Sequence, residues 1–391
     1  MTNDQPKKAK IIVSGILFWY PLAGVTYQFL HYLIGLRELG YDVYYLEDPS
    51  QWVFNPKDNN ITPDADYNVS FVAPILKKYG FNGKWGFYGN YSGGKSYGMT
   101  RDQMKQLYRD ADALLNVTGQ EIRDEHRECK RLIYVESDPF SFQAKAAMGD
   151  KGALEHLKAH DTFFSFGENL GAPDCSVPLV GFEWLPTRQP VYMGLWDNAI
   201  SCNSKKFTTI TTWKNKGKDI NYDGDTYFWT KDREFEKFID LPLLTTNNKF
   251  ELATKVDQQV QDYLTEHHWN TSSAHAVSRD LESYQNYIKN SWGEFTVARD
   301  QYVRPNTGWF SDRSVCYLAA NRPVITQETG FSKFLPTGKG LFSFSTMDHI
   351  LQAVDEIKSD YEGNCIAAKE IAAEYFSTEK VLSSLMNRAG L

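Results

Sequence analysis

Residues 311–331, SDRSVCYLAANRPVITQETGF, place polar residues on both sides of an apolar helical turn and a short strand. Ser311, Asp312 and Arg313 fall at the predicted start of the helix, where backbone N–H groups and the helix dipole favour a phosphate group. The guanidinium of Arg313 suits a bidentate contact to a diphosphate oxygen. Glu328-Thr329-Gly330 follows the strand, at the edge where a parallel sheet presents its ligands. A purely structural alternative makes Asp312 a helix cap and Gly330 a turn residue.

Three carboxylates follow predicted strands in the first half of the chain. Glu136 and Asp138 come after the strand at 132–135, and Glu168 follows the strand at 162–166. A carboxylate at such a strand end can take a proton from a reacting hydroxyl group. These three residues are therefore catalytic candidates, although each could instead cap a helix or pair with a lysine.

The chain begins with an alternation of strand and helix. A strand at 11–18, a helix at 26–39 and a strand at 42–46 form a βαβ unit, which implies a right-handed crossover and a parallel sheet. The pattern continues with predicted strands at 113–117, 132–135, 162–166 and 179–182 and predicted helices at 101–111 and 153–159.

A second α/β series follows a stretch, residues 185–204, that has two prolines and no clear period. Its predicted elements are strands at 207–211 and 323–326 and helices at 249–266, 279–290, 347–359 and 366–390. At 391 residues the chain exceeds the usual size of one core. We therefore expect domains at 1–190 and 191–371, followed by a C-terminal helical segment at 372–391.

Composition narrows the function classes. A formal charge of −7 argues against a uniformly basic surface for nucleic acid, although a local patch would suffice for binding. The five cysteines are scattered and form no C-x-x-C pair, so the sequence predicts no metal cage and a reducing compartment. No run of 18 apolar residues and no convincing signal peptide is present, so we expect a cytoplasmic protein without a membrane span.

One segment, residues 77–109, differs from the rest of the chain. It carries seven Lys or Arg residues against one Asp, interleaved with eight aromatic residues and many glycines. Cations and stackable rings on a Gly-rich loop suit a polyanion or a nucleobase, and they equally suit a sugar. Its acceptor-binding candidates are Lys84, Trp85, Tyr88 and Lys95. A plain mobile loop is the alternative.

Three stretches together resemble a known family: FWYPLAGVTYQFLHYLIGLRELGYDVYYLE, GWFSDRSVCYLAANRPVITQETGF and AAEYFSTEKVLSSLMNRAGL. They are similar to glycosyltransferases of the GT-B fold, closest in style to the large family-4 group. The similarity of layout covers nearly the whole chain, whereas the specific motifs are confined to about 207–217 and 306–330. The resemblance implies two Rossmann-like domains facing a central cleft, with a C-terminal helix that crosses back to the first domain.

The resemblance also implies that the C-terminal domain binds the donor nucleotide. Gly308-Trp-Phe310 stands for the family's Gly-Phe-Gly turn and Asn321-Arg-Pro323-Val for its GxPV motif. The family's ribose-binding glutamate falls on Cys316, and a thiol cannot accept two ribose hydrogen bonds as a carboxylate does. Either Asp312 or Glu328 takes over that contact, or the donor is held differently.

A second similarity concerns TTITTWKNKGKDI, residues 208–220. In the family, bases in this loop hold the diphosphate leaving group, and Lys214 and Lys216 occupy comparable places. Two cations there would stabilise the developing negative charge without a metal ion. A solvated lysine-rich loop is the alternative. We add Gly24, in the loop after the first strand, to the donor-binding candidates.

The resemblance implies a glycosyltransferase that moves a sugar from a nucleotide-sugar co-substrate, with UDP the expected nucleotide and no other cofactor. The acceptor would be a small molecule or glycan, or a hydroxylated pyrimidine in DNA, because phage enzymes that modify such bases share the fold. A nucleotide-sugar epimerase and a non-catalytic sugar- or nucleotide-binding protein remain alternatives.

Overall fold

The structure is a computed structural model that describes residues 8–91, 93–200, 204–245 and 249–391. Cys202 lies outside these ranges. The chain forms two compact units. The first contains the described residues up to Ser137 together with Glu155–Phe164 and Thr378–Leu391, and the second contains Asp138–Leu154 and Ser165–Ser377. The second unit thus includes residues 165–190, which the sequence assigned to the N-terminal domain.

The strands, numbered along the chain, are β1 Lys10–Ser14, β2 Asp42–Glu47, β3 Val53–Asn55, β4 Asn60–Thr62, β5 Trp85–Gly89, β6 Lys95–Gly98, β7 Ala113–Val117, β8 Leu132–Glu136, β9 Thr162–Ser165, β10 Trp184–Pro186, β11 Lys206–Ile210, β12 Ile220–Tyr222, β13 Asp225–Tyr227, β14 Lys249–Thr254, β15 Asn270–Ser273, β16 Gly293–Thr296, β17 Val324–Gln327 and β18 Leu341–Phe344.

The α-helices are α1 Ala23–Glu38, α2 Asp66–Lys78, α3 Arg101–Asp110, α4 Ser141–Ala147, α5 Lys151–Lys158, α6 Asp232–Glu236, α7 Leu241–Leu244, α8 Gln258–Glu266, α9 Ala274–Ser278, α10 Leu281–Lys289, α11 Asp300–Val303, α12 Asp312–Ala319, α13 Met347–Ser359, α14 Tyr361–Ile371 and α15 Thr378–Arg388. In the described part of the chain, no helix combines the length and apolar character needed to cross a bilayer.

The sheet of the first unit has the strand order β9-β8-β7-β1-β2-β5-β6. β1 pairs in parallel with β2 and β7, and β5 and β6 form an antiparallel hairpin. Its central strands are apolar on both faces, as expected where helices cover both sides of a parallel sheet. The C-terminal helix α15 packs against α1, where a Cβ atom on Gly35 would lie only 2.5 Å from Cβ of Thr378.

The sheet of the second unit has the order β15-β14-β11-β16-β17-β18, and every pairing is parallel. When only the six strands of this sheet are numbered, the order is 3-2-1-4-5-6, that of a Rossmann sheet. Aromatic rings in edge-to-face and stacked contacts fill its core, including Phe250, Trp269, Phe295 and Phe344. The predicted fold class, α/β with two Rossmann-like units, is confirmed.

Some local predictions were wrong. Residues 249–266 form strand β14 and then helix α8, and the break is fixed by Asp257, whose side chain accepts from the backbone N–H of Val260 at 2.9 Å. Residues 179–182 form no strand, and β10 begins at Trp184 instead. The predicted helix at 366–390 is divided by a π-helical turn, Ala372–Phe376.

Candidate active site

The second sheet has a topological switch point between its central strands β11 and β16. The chain leaves these two strands toward opposite sides of the sheet, so a crevice opens outside their carboxyl ends. Ligands of doubly wound sheets bind in such a crevice. The loops that follow Ile210 and Thr296 are therefore the expected ligand-binding loops of this unit.

Arg313, in the first turn of α12, joins the ends of these two strands. Its Nη1 donates to the carbonyl of Ile210 at 2.8 Å, and its Nη2 donates to Oγ1 of Thr296 at 2.9 Å. Its Nε donates to Oε1 of Glu294 at 2.5 Å, and Glu294 is fully buried. Three of the five N–H groups of Arg313 therefore donate to the protein itself. These bonds fix the floor of the crevice.

Two further cations, which are not among the predicted site residues, lie near Arg313. Lys231, just before α6, is only 8% exposed. Burial lowers its pKa far below the usual value, and the neighbouring Arg313 and Arg299 lower that pKa further. Arg299 follows β16, stacks over Trp229 at 3.6 Å and donates to Oδ1 of Asp138 at 3.0 Å. This cluster of positive charge is suited to a polyanionic ligand.

Could the sequence have shown these cations? Arg299 follows a strand that the apolar runs did not reveal, because β16 is only four residues long and contains Gly293 and Glu294. An arginine in the loop that follows a central parallel strand is a ligand-binding signal once the strand is known. Nothing in the sequence indicated that Lys231 is buried, because its burial depends on the tertiary packing of the loop that carries it.

The basic loop after β11 adds exposed lysines. The side chain of Lys214 is 69% exposed and lies 3.9 Å from Asp232. Lys216 is also exposed. Lys218, not among the predicted residues, lies over the ring of Trp229 at 4.9 Å. Trp213 is buried against Phe235 and anchors the loop.

The residues at the start of α12 occupy the predicted place. Ser311 is the N-cap residue, although its side chain makes no capping hydrogen bond, and Asp312 is the first helical residue. Burial raises the pKa of Asp312. Cys316 is buried inside the same helix.

The turn after β17 folds back on itself. Glu328 accepts from the backbone N–H groups of Thr329 at 3.0 Å and Gly330 at 2.6 Å. Gly330 has a φ of +96°, and a Cβ atom there would lie 2.7 Å from Oδ1 of Asn306. Thr329 donates to the carbonyl of Trp309 at 2.5 Å. The turn is thus packed against the loop that precedes α12.

The three carboxylate candidates have different environments. Asp138 lies in the second unit, and its side chain is 44% exposed beside Arg299 and Tyr302, which both hydrogen-bond it. Glu168 is also in the second unit. It accepts two bonds from Arg188, at 2.6 and 2.8 Å, and burial raises its pKa while Arg188 opposes that rise. Glu136 ends β8 of the first unit and is buried. Asp138 is therefore the candidate that belongs to the cation cluster.

Arg188 also shows why residues 165–190 join the second unit. Its Nη2 donates to the carbonyl of Phe334 at 3.3 Å, and the backbone N–H of Asn169 donates to the carbonyl of Thr307 at 3.0 Å. Close packing reinforces these bonds, since a Cβ atom on Gly308 would lie 2.5 Å from the backbone nitrogen of Asn169.

Gly24 and the acceptor-binding candidates lie in the first unit. Gly24 is the second residue of α1 rather than part of the preceding loop. Trp85 is 8% exposed and stacks on Phe18 in the core, so it offers almost no free ring face. Tyr88 is covered by Arg101 at 4.4 Å.

The two lysine candidates of this segment are both in ion pairs. Lys84 contacts Asp42 at 2.7 Å, and Lys95 contacts Asp66 at 2.6 Å. Both residues belong to the ends of the β5–β6 hairpin region, which is regular structure and not a plain loop. The positive charge of the segment is thus partly neutralised by neighbouring acids.

No family model matches the sequence. No curated protein matches it either. Solved structures do match it along nearly the whole chain. An alpha-glucosyltransferase in complex with UDP and a 13-mer DNA is 9% identical, with a TM-score of 0.61 and coverage of 98% of this chain and 100% of the other.

Two further solved structures are similar. HepE of Anabaena in complex with UDP is 9% identical, covers 98% of this chain and 99% of its own, and has a TM-score of 0.58. A glycosyltransferase from Rickettsia africae is 10% identical, covers 98% of both chains and has a TM-score of 0.54. At such low identity the similarity establishes the fold. The chain has the two-unit α/β fold of these glycosyltransferases, the GT-B fold.

Proposed function

We propose that this protein is a nucleotide-sugar-dependent glycosyltransferase whose donor diphosphate binds at the carboxyl ends of β11 and β16. The observation that carries this proposal is the buried cation cluster at the switch point of the second sheet. Burial and the nearby Arg313 and Arg299 disfavour the charged form of Lys231, and Glu294 and Asp312 offset this only in part, so its pKa stays far below the usual value. A bound diphosphate group would favour the charged form of Lys231 and add negative charge to the cluster.

The nucleotide is UDP in this proposal, since the similar alpha-glucosyltransferase and HepE were both solved with UDP. We further propose that the donor unit is family-4-like, with Ser311 and Asp312 at the start of α12 and Glu328–Gly330 beside the nucleotide. Lys214, Lys216 and Lys218 would screen the phosphates from the exposed side. Arg313 acts mainly by holding the ends of the two strands in register.

In the reaction the oxygen of an acceptor hydroxyl group forms a bond to the anomeric carbon of the sugar. The bond from that carbon to the β-phosphate oxygen breaks, and UDP leaves with the electron pair. The cations stabilise this charge as it develops. The hydroxyl proton passes to a carboxylate or to the leaving phosphate. Asp138 is the proposed carboxylate because it is half-exposed beside Arg299.

Calorimetry with UDP, ADP and GDP tests the donor site. UDP should bind with micromolar to millimolar affinity, and Lys231→Met and Arg299→Met should each weaken it by about 1.5–3 kcal/mol, the range for a charged hydrogen bond. Lys339→Met is the matched control. Lys339 lies in the same unit, just before the amino end of β18, and it pairs with Asp360. Absence of UDP binding by the folded protein would contradict the proposal.

The acceptor could be a small molecule or glycan, and a second candidate class of acceptor is a hydroxylated pyrimidine in DNA. The similar alpha-glucosyltransferase, solved with DNA containing such a base, is the observation that favours it. A gel shift with hydroxymethylated duplex DNA tests this class, because binding through phosphates must weaken steeply with salt. An epimerase would instead interconvert the free nucleotide sugar without an acceptor.

A further inference from the structure

An aromatic surface lies on the first unit, where the loop after β1 meets the β3–β4 hairpin. We call Trp19, Tyr20, Trp52, Phe54 and Ile61 the aromatic platform. Trp52 is 49% and Ile61 51% exposed, and the other three are half-buried. Among the large hydrophobic side chains exposed in the described ranges, Trp52 is the only aromatic one. Exposed apolar side chains that adjoin partly buried aromatic rings are candidates for an interaction site.

Phe54, Ile61 and Tyr20 lie together on one face. Side chains alternate along a strand, so Phe54 points away from the fully buried Val53, and the exposed Trp52 directly precedes this strand. Ile61 is the cross-strand partner of Phe54. The ring centroids of Tyr20 and Phe54 are 5.7 Å apart.

Hydrogen bonds hold the platform in one shape. Trp19 donates from Nε1 to the carbonyl of Trp52 at 2.8 Å, and the backbone N–H of Phe54 donates to the carbonyl of Trp19 at 3.0 Å. Asn68, fully buried in α2, donates to the carbonyls of Phe18 at 2.6 Å and Phe54 at 2.9 Å. A surface fixed in this way loses little conformational entropy when a ligand binds.

The platform lies where the first sheet presents ligands. Trp19 and Tyr20 follow β1, and the hairpin follows β2, which pairs in parallel with β1. The carboxyl ends of these strands form the ligand-binding edge of a doubly wound sheet.

The charges around the platform disfavour a nucleic acid. Residues 50–66 contain one basic residue, Lys57, against Asp58, Asp64 and Asp66. The nearby cations are held by acids, since Lys95 contacts Asp66 at 2.6 Å and Arg101 contacts Asp48 at 3.0 Å. A DNA backbone would require cations that can neutralise its phosphates.

The polar residues around the platform suit a neutral polyhydroxyl ligand. Gln51, Asp58, Asn59 and Asn60 are all exposed on the hairpin. Amide and carboxylate groups can accept hydrogen bonds from sugar hydroxyl groups, and the amides can also donate to them. The apolar C–H face of a pyranose ring can meanwhile stack on an aromatic ring.

We propose that the aromatic platform binds the carbohydrate part of the acceptor, which makes the acceptor a neutral oligosaccharide. This inference rests on the proposed glycosyltransferase function and assigns its acceptor class.

The test is binding of the full chain to a panel of neutral oligosaccharides, cellohexaose, maltohexaose and chitohexaose among them, with hydroxymethylated duplex DNA as the competing probe. At least one oligosaccharide should bind, and Trp52→Ala should weaken it by about tenfold or more, as expected for a central aromatic contact. UDP affinity should not change. Leu243→Ala, which removes an exposed apolar side chain of the second unit, is the control.

Three results would overturn the proposal: no oligosaccharide in the panel binds, binding survives both Trp52→Ala and Ile61→Ala, or the protein binds the DNA probe through Trp52. The proposed function has a separate readout. If UDP fails to bind while an oligosaccharide binds in a Trp52-dependent way, the glycosyltransferase proposal fails and the platform remains a carbohydrate-binding site.

Discussion

Arg313 and Glu294 form an ion pair of 2.5 Å that connects α12 to the central strand β16. The side chain of Arg313 is 13% exposed and that of Glu294 is fully buried. Removing one partner of such a pair leaves an uncompensated buried charge, which costs about 3–5 kcal/mol. We therefore expect Arg313→Met to lower the free energy of unfolding of the second unit by that amount, measured by chemical denaturation.

The matched control for this prediction is Lys339→Ala. Lys339 and Asp360 form a pair in the same unit that is more than half exposed at both residues, so its loss should cost less than about 1 kcal/mol. If the two variants unfold at the same denaturant concentration, the structural role of Arg313 is refuted.

Lys231 should couple UDP binding to proton uptake. Burial lowers its pKa, Arg313 and Arg299 lower it further, and Glu294 and Asp312 oppose that effect. A bound diphosphate favours the charged form and raises the pKa. Between the lowered pKa of the free protein and the higher pKa of the complex, binding therefore takes up a proton, and UDP affinity falls as pH rises.

Calorimetry in two buffers of different ionisation enthalpy measures this proton uptake. The observed binding enthalpy should differ between the buffers for the wild type, and the difference should shrink in Lys231→Met. Equal enthalpies in the two buffers for the wild type, at several pH values, would rule out the coupling.

Asp138 should matter for turnover more than for donor binding. If it accepts the acceptor proton, Asp138→Asn lowers kcat by roughly 10²–10⁴-fold. UDP affinity should stay the same or rise, because Arg299 loses a competing partner. Asp174→Asn is the control, since Asp174 is a half-exposed carboxylate of the same unit paired with Lys333. Unchanged kcat in Asp138→Asn would assign the proton to the leaving phosphate.

Glu47 should make the stability of the first unit depend on pH. It is fully buried and accepts from Phe18 N at 2.8 Å, Trp19 N at 2.6 Å and Tyr45 Oη at 2.6 Å. Burial raises its pKa to about 8, although these donors oppose the rise. The native state then binds more protons than the unfolded state between the ordinary carboxyl pKa and about 8, so stability should fall as pH rises through that range.

Thermal unfolding across this pH range tests the Glu47 prediction. Glu47→Gln cannot titrate, so its melting temperature should vary less with pH than that of the wild type. Because the amide cannot accept all three donors equally well, the variant should also be less stable at low pH. An unchanged pH profile would assign the dependence to another group.

The fold was predictable because its signals are local. The strand at Ala113–Val117 is a run of apolar residues between polar ones, and the helix Met347–Ser359 has a regular apolar face with Thr346 as a capping residue. β14 was predicted as helix because its apolar residues, together with those of α8, resemble the spacing of one long amphipathic helix. Residues 255–257, the last of which caps α8, separate the two elements.

The candidate site was less predictable because it depends on contacts between distant segments. The start of α12 at Asp312 follows from sequence, whereas the partner of Arg313 lies 19 residues earlier in the short strand β16. Aromatic content was also misleading. Trp85 lies in a segment rich in lysine but packs on Phe18, while the exposed Trp52 lies in a segment with no such charge pattern.

The C-terminal helix α15 determines when the first unit can be completed during synthesis. It packs on α1, and Leu382, Leu385 and Met386 are buried there, although the whole second unit precedes it in the chain. The whole second unit is therefore synthesised before α15, which completes the core of the first unit. During synthesis the second unit could therefore fold first, and the first unit could complete its core only after α15 has been made.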